Sequence, residues 1–362
     1  MAERNLLKQI LEETRIIWDR PSTRAAVRKN FAAVLDCGTP ALGWKLYASQ
    51  NEERRCYHRC RSRFCSSCGY RATLLWLEEQ AAALPDIPYH GIVFTMPRKL
   101  WGILRRNRHL VHDLPVLGAA VLKQWARMKC GTTPLILVVP HTFGGDLKFN
   151  THLHILMSDG GFHTAGSWIP DLSLNKTAIM RMWRYAVVSH LRRALAVGIL
   201  KSELNVRELN RVVSDAYENK TRDYWIIHLD KIVSKTHFLK YAARYVRRPP
   251  IAKWRILRVT GGEVEYVAKD TRRGVQASAK CTLDQFVRLL AAHVPDNYRH
   301  VIRYFGILAP RSRGLLYPAM FLLLRQERRP CPQRLSWRAS LVKYFGIDPM
   351  IDGFGQEMHW VR

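Results

Sequence analysis

Two histidines separated by a leucine, His152 and His154, lie in an apolar run ending at Met157, and a third, His141, closes the preceding run from Ile136 to Pro140. Side chains alternate faces along a strand, so His152 and His154 project together while Leu153 points the other way. Paired imidazoles on one strand face can hold a metal ion. A hairpin closed through the glycine-containing loop 142–150 would bring His141 up as the third ligand. His228, His237 and Asp146 are the other candidates for that place, Asp146 because hard cations such as Mg2+ or Mn2+ take carboxylate oxygen readily.

A second reactive group follows much later, between Lys235 and the double proline Pro249-Pro250. The segment is rich in helix formers, and the i, i+4 spacing puts Tyr241 and Tyr245 on one helical face with Lys240, Arg244, Arg247 and Arg248 around them. A phenol with a pKa of about 10 is a poor nucleophile near neutral pH unless cations or a metal-polarised phosphoester assist it. Tyrosines ringed by cations therefore suit attack on phosphate. The same spacing also describes an ordinary core stripe.

A third group is built from sulfur. Cys56, Cys60, Cys65 and Cys68 follow the pattern C-x3-C-x4-C-x2-C, which supplies enough thiolates in one loop to close a tetrahedral zinc site, with His58 and Cys37 as spare ligands. Such a site has no open position for water. It would be structural, stiffening a small basic module whose Arg61 and Arg63 touch DNA. Cysteines concentrated in this way point to metal in a reducing compartment, not to a disulfide framework.

Taken together, the block around His141, His152 and His154, the segment from Lys240 to Ile251, the cysteine loop running on to Trp76, and Ile302 to Arg311 resemble the two-tyrosine rolling-circle transposases of the insertion sequence ninety-one family. Those enzymes belong to the HUH endonucleases, named for His-hydrophobic-His. The resemblance implies an α+β fold: an HUH nuclease core with a central antiparallel sheet flanked by helices, preceded by a small helical zinc-binding domain. It further implies cutting and rejoining of single-stranded DNA at transposon ends and target through 5′-phosphotyrosine links. Tyr241 and Tyr245 would be the catalytic pair, Mg2+ or Mn2+ the catalytic ion and Zn2+ the structural one. Copies of the chain could assemble as a homo-oligomer on the DNA. A plasmid replication initiator or relaxase with the same chemistry, or a non-enzymatic zinc-containing DNA-binding protein, are the alternatives. This chain departs from the family pattern by having no cysteines in 47–53 or 348–358.

Composition agrees with a nucleic-acid partner. Across 362 residues, 58 Lys and Arg outweigh 29 Asp and Glu, a net charge of +29, which calls for a polyanion and predicts salt-sensitive binding. No apolar run approaches the length of a membrane span and no cleavable leader is visible, so a cytoplasmic, nucleoid-associated protein is expected. Three parts are anticipated: 1–86 helical and zinc-binding, 87–250 catalytic, and 251–362 a basic accessory region. Within them, periodicity predicts helices over 72–84, 100–106, 117–128, 174–201 and 282–293. Strands are expected at 89–96 and 225–229, and a hairpin turning at Gly261-Gly262.

Overall fold

The computed structural model describes residues 5–218, 224–244, 246, 249–269, 276–333 and 335–361. Three short helices, α1 (Leu6–Glu13), α2 (Arg15–Trp18) and α3 (Ala25–Asp36), open the chain. A strand pair, β1 (Trp44–Ala48) and β2 (Glu53–Tyr57), leads through the cysteine loop into α4 (Ser66–Ala83). Next come β3 (Tyr89–Phe94), α5 (Arg98–Arg106), α6 (Arg108–Cys130), β4 (Thr132–Phe143), β5 (Phe149–His163) and β6 (Trp168–Pro170). Helices α7 (Lys176–Ala196) and α8 (Val206–Glu218) precede β7 (Ile227–Ile232) and α9 (Lys235–Ala243). The remainder is β8 (Ile256–Thr260), β9 (Glu263–Lys269), β10 (Gln276–Thr282), α10 (Leu283–His293), β11 (Arg303–Gly306), α11 (Pro310–Leu323), α12 (Trp337–Phe345) and β12 (His359–Trp360).

The central sheet runs β11-β4-β5-β3-β7, with β6 added beside β5, and every pairing is antiparallel. Alternation along its strands sorts side chains into two cores. Leu153, Ile155, Met157, Ile136 and Val138 pack under α5, α6, α7 and α8. Leu156, Leu135, Leu137 and Val139 face the other way, with Trp76 of α4, Phe238 of α9 and Met320 of α11. This is the α+β arrangement expected, an antiparallel sheet flanked by helices.

Packing ties the ends of the chain to this sheet. β11 supplies an edge strand, made possible at its end by Gly306, where a Cβ would lie 1.9 Å from the Pro134 carbonyl oxygen. Residues of α1 and α3, Phe64 and Cys65 of the cysteine loop, and β8, β9 and α10 share a separate core. Thr282 and Gln285 form a reciprocal capping box at the start of α10. The two cysteine-free segments also meet: β12 pairs with β1, Ser49 Oγ donates to Asp352 at 2.7 Å, and the Gly353 N–H donates to Glu52 at 3.1 Å.

Candidate metal and tyrosine site

The hairpin of β4 and β5 places His141 directly opposite His152 and Val139 opposite His154. Directly paired residues of an antiparallel ladder point to the same face, so all three imidazoles stand together. Their nearest ring nitrogens lie within 4.8 Å of one another. His152 Nδ1–H donates to the Asn150 carbonyl at 2.9 Å, which turns the lone pair of its Nε2 toward His154 Nε2, 3.1 Å away. Two nitrogens each ~2.1 Å from a shared cation sit roughly 3.0–3.4 Å apart at octahedral or tetrahedral angles, so the spacing fits a divalent ion.

Burial also suits ligation. His141 and His154 are buried and His152 half-buried. Desolvation holds the pKa of His152 below the usual imidazole value, and that of His154 lower still because His141 and His152 add like charge. Both rings therefore keep their lone pairs at neutral pH. Of the alternative third ligands, His228 is exposed on β7 and His237 is exposed on α9, hydrogen-bonded to Ser234. Neither these nor Asp146 joins the cluster.

Tyr241 projects from α9 onto the same face. A Cβ on Gly91 of β3 would lie 3.2 Å from its ring carbons Cε1 and Cζ, so the missing side chain at Gly91 makes room for the phenol. Gly91 pairs with Leu156, two residues along β5 from His154. With ~3.3 Å per residue and ~4.8 Å between strands, the glycine under the phenol is roughly 8 Å from His154 along the sheet surface. Lys240 and Arg244 are exposed beside it. Tyr245, Arg247 and Arg248 lie outside the described residues.

The sulfur cluster departs from the expected four. Cys37, Cys60, Cys65 and Cys68 gather, and Cys56 does not. Cys56 is paired opposite Lys45 within β2, which holds it in the strand and outside the cluster. Cys37, the residue capping the C-terminus of α3, fills the place. Sulfur separations of 3.7 Å (Cys37–Cys68), 3.8 Å (Cys65–Cys37) and 3.8 Å (Cys60–Cys68) match the edge of a tetrahedron with ~2.3 Å zinc–sulfur bonds and exclude disulfides at ~2.05 Å. Backbone N–H groups of Cys60 and Ser62 point at Cys37 Sγ and Cys60 Sγ, at 3.5 and 3.4 Å. Cys65 and Cys68 also occupy the start of α4, where the helix dipole favours thiolates. Arg61 is exposed with φ of 54°, and Arg63 is half-buried.

Two contributors have no motif of their own. Phe143 stacks on His141, ring centroids 5.1 Å apart at 19°, and Gly91 floors the phenol. A glycine inside an otherwise β-branched and aromatic strand is the signal that could have marked the latter, because it often means close approach of another group.

Comparison with known proteins converges on one family. Residues 136–314 match a family model described as "Putative transposase", and residues 7–96 match a "Transposase zinc-binding domain" of IS91 type. The chain is 32% identical over 333 residues to the transposase for insertion sequence element IS801 of Pseudomonas savastanoi pv. phaseolicola, covering 87% of this chain and 78% of that protein. It is 30% identical over 311 residues to "Putative transposase y4qJ" of Sinorhizobium fredii, covering 81% and 77% respectively. No solved structure matches it. Among the described residues, no helix is long and apolar enough to cross a membrane.

Proposed function

This chain belongs to the IS91 family of transposases, DNA-processing enzymes, and from that premise we propose that it cuts and rejoins single-stranded DNA at transposon ends by transferring the strand to its own tyrosines. The supporting observation is that His141, His152 and His154 share one sheet face with Tyr241. These imidazoles would hold Mg2+ or Mn2+, which when bound supplies Lewis-acid polarisation of the scissile phosphate. Tyr241 gives its phenolic proton to solvent, and its oxygen bonds to phosphorus as the bond to the 3′-oxygen breaks. The departing oxygen takes up a proton. The products are a 5′-phosphotyrosine and a free 3′-hydroxyl, with no water consumed and no electron transferred.

Because the phosphoester persists as a protein ester, a later 3′-hydroxyl can attack it and restore the phenol without ATP. Tyr245, four residues on in the sequence, would act as the second acceptor, so that two strand ends are held in turn during rolling-circle transposition. Lys240, Arg244, Arg247 and Arg248 would hold backbone phosphates beside the tyrosines, and Arg61 and Arg63 would do so at the cysteine loop. Burial of the imidazoles supports a single-stranded substrate, whose phosphate can be drawn into a narrow metal site. Cys37, Cys60, Cys65 and Cys68 would hold Zn2+ as a closed structural site.

The test is direct. Wild-type chain is incubated with labelled single strands carrying the element's end and Mn2+ or Mg2+, and covalent protein–DNA adduct is resolved on a denaturing gel. Adduct is expected from wild type and absent when Tyr241→Phe is combined with Tyr245→Phe, or in His152→Ala. Adduct retained in those variants would refute the assignment. Tight binding without any adduct would mark a non-enzymatic DNA-binding protein.

A further inference from the structure

We propose that the cleft where the cysteine loop meets the end of β4 is a nucleotide pocket, taking one unstacked base and its phosphate from the strand that enters the histidine site. The strand's identity rests on the proposed function; the pocket's chemistry does not. Its walls include Arg63 and Phe64 of the cysteine loop, Phe143 of β4, Pro250 beyond the tyrosine segment, and Arg299 and His300. Phe64 is buried and braced by Phe31, with ring centroids 5.3 Å apart. Phe143 is shared with the histidine site: it stacks on His141 and meets His293 at 5.3 Å.

Charge selects the ligand. Among the described residues no carboxylate lines this cleft, whereas Arg63, Arg108, Arg299 and three imidazoles do. The nearby carboxylate, Asp296, is engaged by Arg24 at 2.5 Å, His112 at 2.9 Å and Arg108 at 3.5 Å, which pins the loop and leaves Arg299 and His300 exposed at the rim. Just outside, Tyr298 is 96% exposed with φ of 59°, a left-handed conformation costly for an aromatic residue and one that holds its ring out to solvent. The half-buried Phe143 ring beside a rim of cations, with no carboxylate among the described lining residues, matches a nucleotide, whose base offers a flat π-surface and whose phosphate carries the charge. An acidic peptide would use the cations and leave the aromatic slot unfilled.

Position ties the pocket to the reaction. The rings of His141 and Phe143 lie 5.1 Å apart and those of Phe143 and His293 5.3 Å, so the pocket wall is within about 10 Å of the His141 ring, the reach of a few nucleotides at most. A base gripped there would fix the strand's register over the histidines.

The experiment uses the full chain carrying Tyr241→Phe and Tyr245→Phe, and a fluorescent single strand from the element's end with one abasic site scanned through every position. Anisotropy should show one position where base loss weakens binding about tenfold or more, with little effect beyond its immediate neighbours. Adding Arg299→Ala and His300→Ala should weaken binding of the intact strand about three- to tenfold and shrink that positional penalty below about threefold. A 5-iodouracil at the sensitive position should photocrosslink to Phe64 or Phe143. Equal penalties at all positions, a positional penalty unchanged in the Arg299/His300 variant, or a crosslink mapped elsewhere would each overturn the pocket. The tyrosine chemistry is read separately, as adduct formed by wild type, so either idea can fail alone.

Discussion

Replacing Gly91 with alanine isolates the geometry of the proposed nucleophile. The added Cβ would sit 3.2 Å from Tyr241 Cε1 and Cζ and 3.2 Å from Ile232 Cδ1. Carbon atoms in comfortable contact are ~3.5–4.0 Å apart, so the phenol must move by about 0.3–0.8 Å, and the displaced carbon Cζ carries the reacting oxygen. On a scale of about a hundredfold in rate per ångström of misplacement, adduct formation should slow roughly 4- to 40-fold. Stability should fall by about 0–2.5 kcal/mol: the backbone at Gly91 has no positive φ, so alanine gains ~0.5–1 kcal/mol of backbone entropy against ~1–3 kcal/mol of overpacking. The assay is the initial rate of adduct formation on a saturating single strand, beside a thermal melt of the same preparation. A Gly91→Ala protein that joins DNA at the wild-type rate, while Tyr241→Phe abolishes joining, would refute the idea that β3 positions the ring.

Other consequences concern metal, pH and charge. Cys37→Ser and Cys65→Ser should each lose bound zinc and several kcal/mol of stability, whereas Cys56→Ser should retain the metal; zinc content by mass spectrometry with a melting curve decides this. Burial pulls the His293 imidazole down to about 4 while its Nε2–H donates to the Leu147 carbonyl at 2.7 Å. Between an unfolded value of ~6.5 and that folded value, only the unfolded chain takes up the proton. Stability is therefore full above pH 6.5 and falls by up to about 3 kcal/mol as pH drops to 4, a slope that His293→Gln should flatten in urea titrations. Asp296→Asn removes the carboxylate that pairs with Arg24, Arg108 and His112; with a third of that side chain exposed, the loss should be about 1–2 kcal/mol by denaturant unfolding, and larger at low salt.

Local pattern made much of this protein legible. Period-two alternation put His152 and His154 on one strand face, and a hairpin through 142–150 brought His141 opposite His152. Helical periodicity located α7 and α10, and Gly261-Gly262 turned β8 into β9. The cysteine loop was visible as a metal site, yet its membership was not, because spacing cannot tell whether Cys56 lies in a turn or in a strand. Pairing with β1 made it a strand, and the C-terminus of α3 delivered Cys37 instead. Arg303–Gly306 forms β11, the edge strand beside β4, a pairing which no short window of sequence announces.

What the amino-acid order determined by itself was the chemistry available: imidazoles on a common strand face, a phenol in a cationic helix, thiolates in one loop and a large positive charge. Those properties depend on residues within a few positions of one another, where backbone periodicity is the only geometry required. Tertiary structure alone decided that the Tyr241 ring lies over Gly91 on the histidine face, that Phe143 joins that site to a second cleft, and which sulfur completes the cluster. Each of these is a meeting of segments far apart in the chain, fixed by which faces are buried together and recorded in no local pattern.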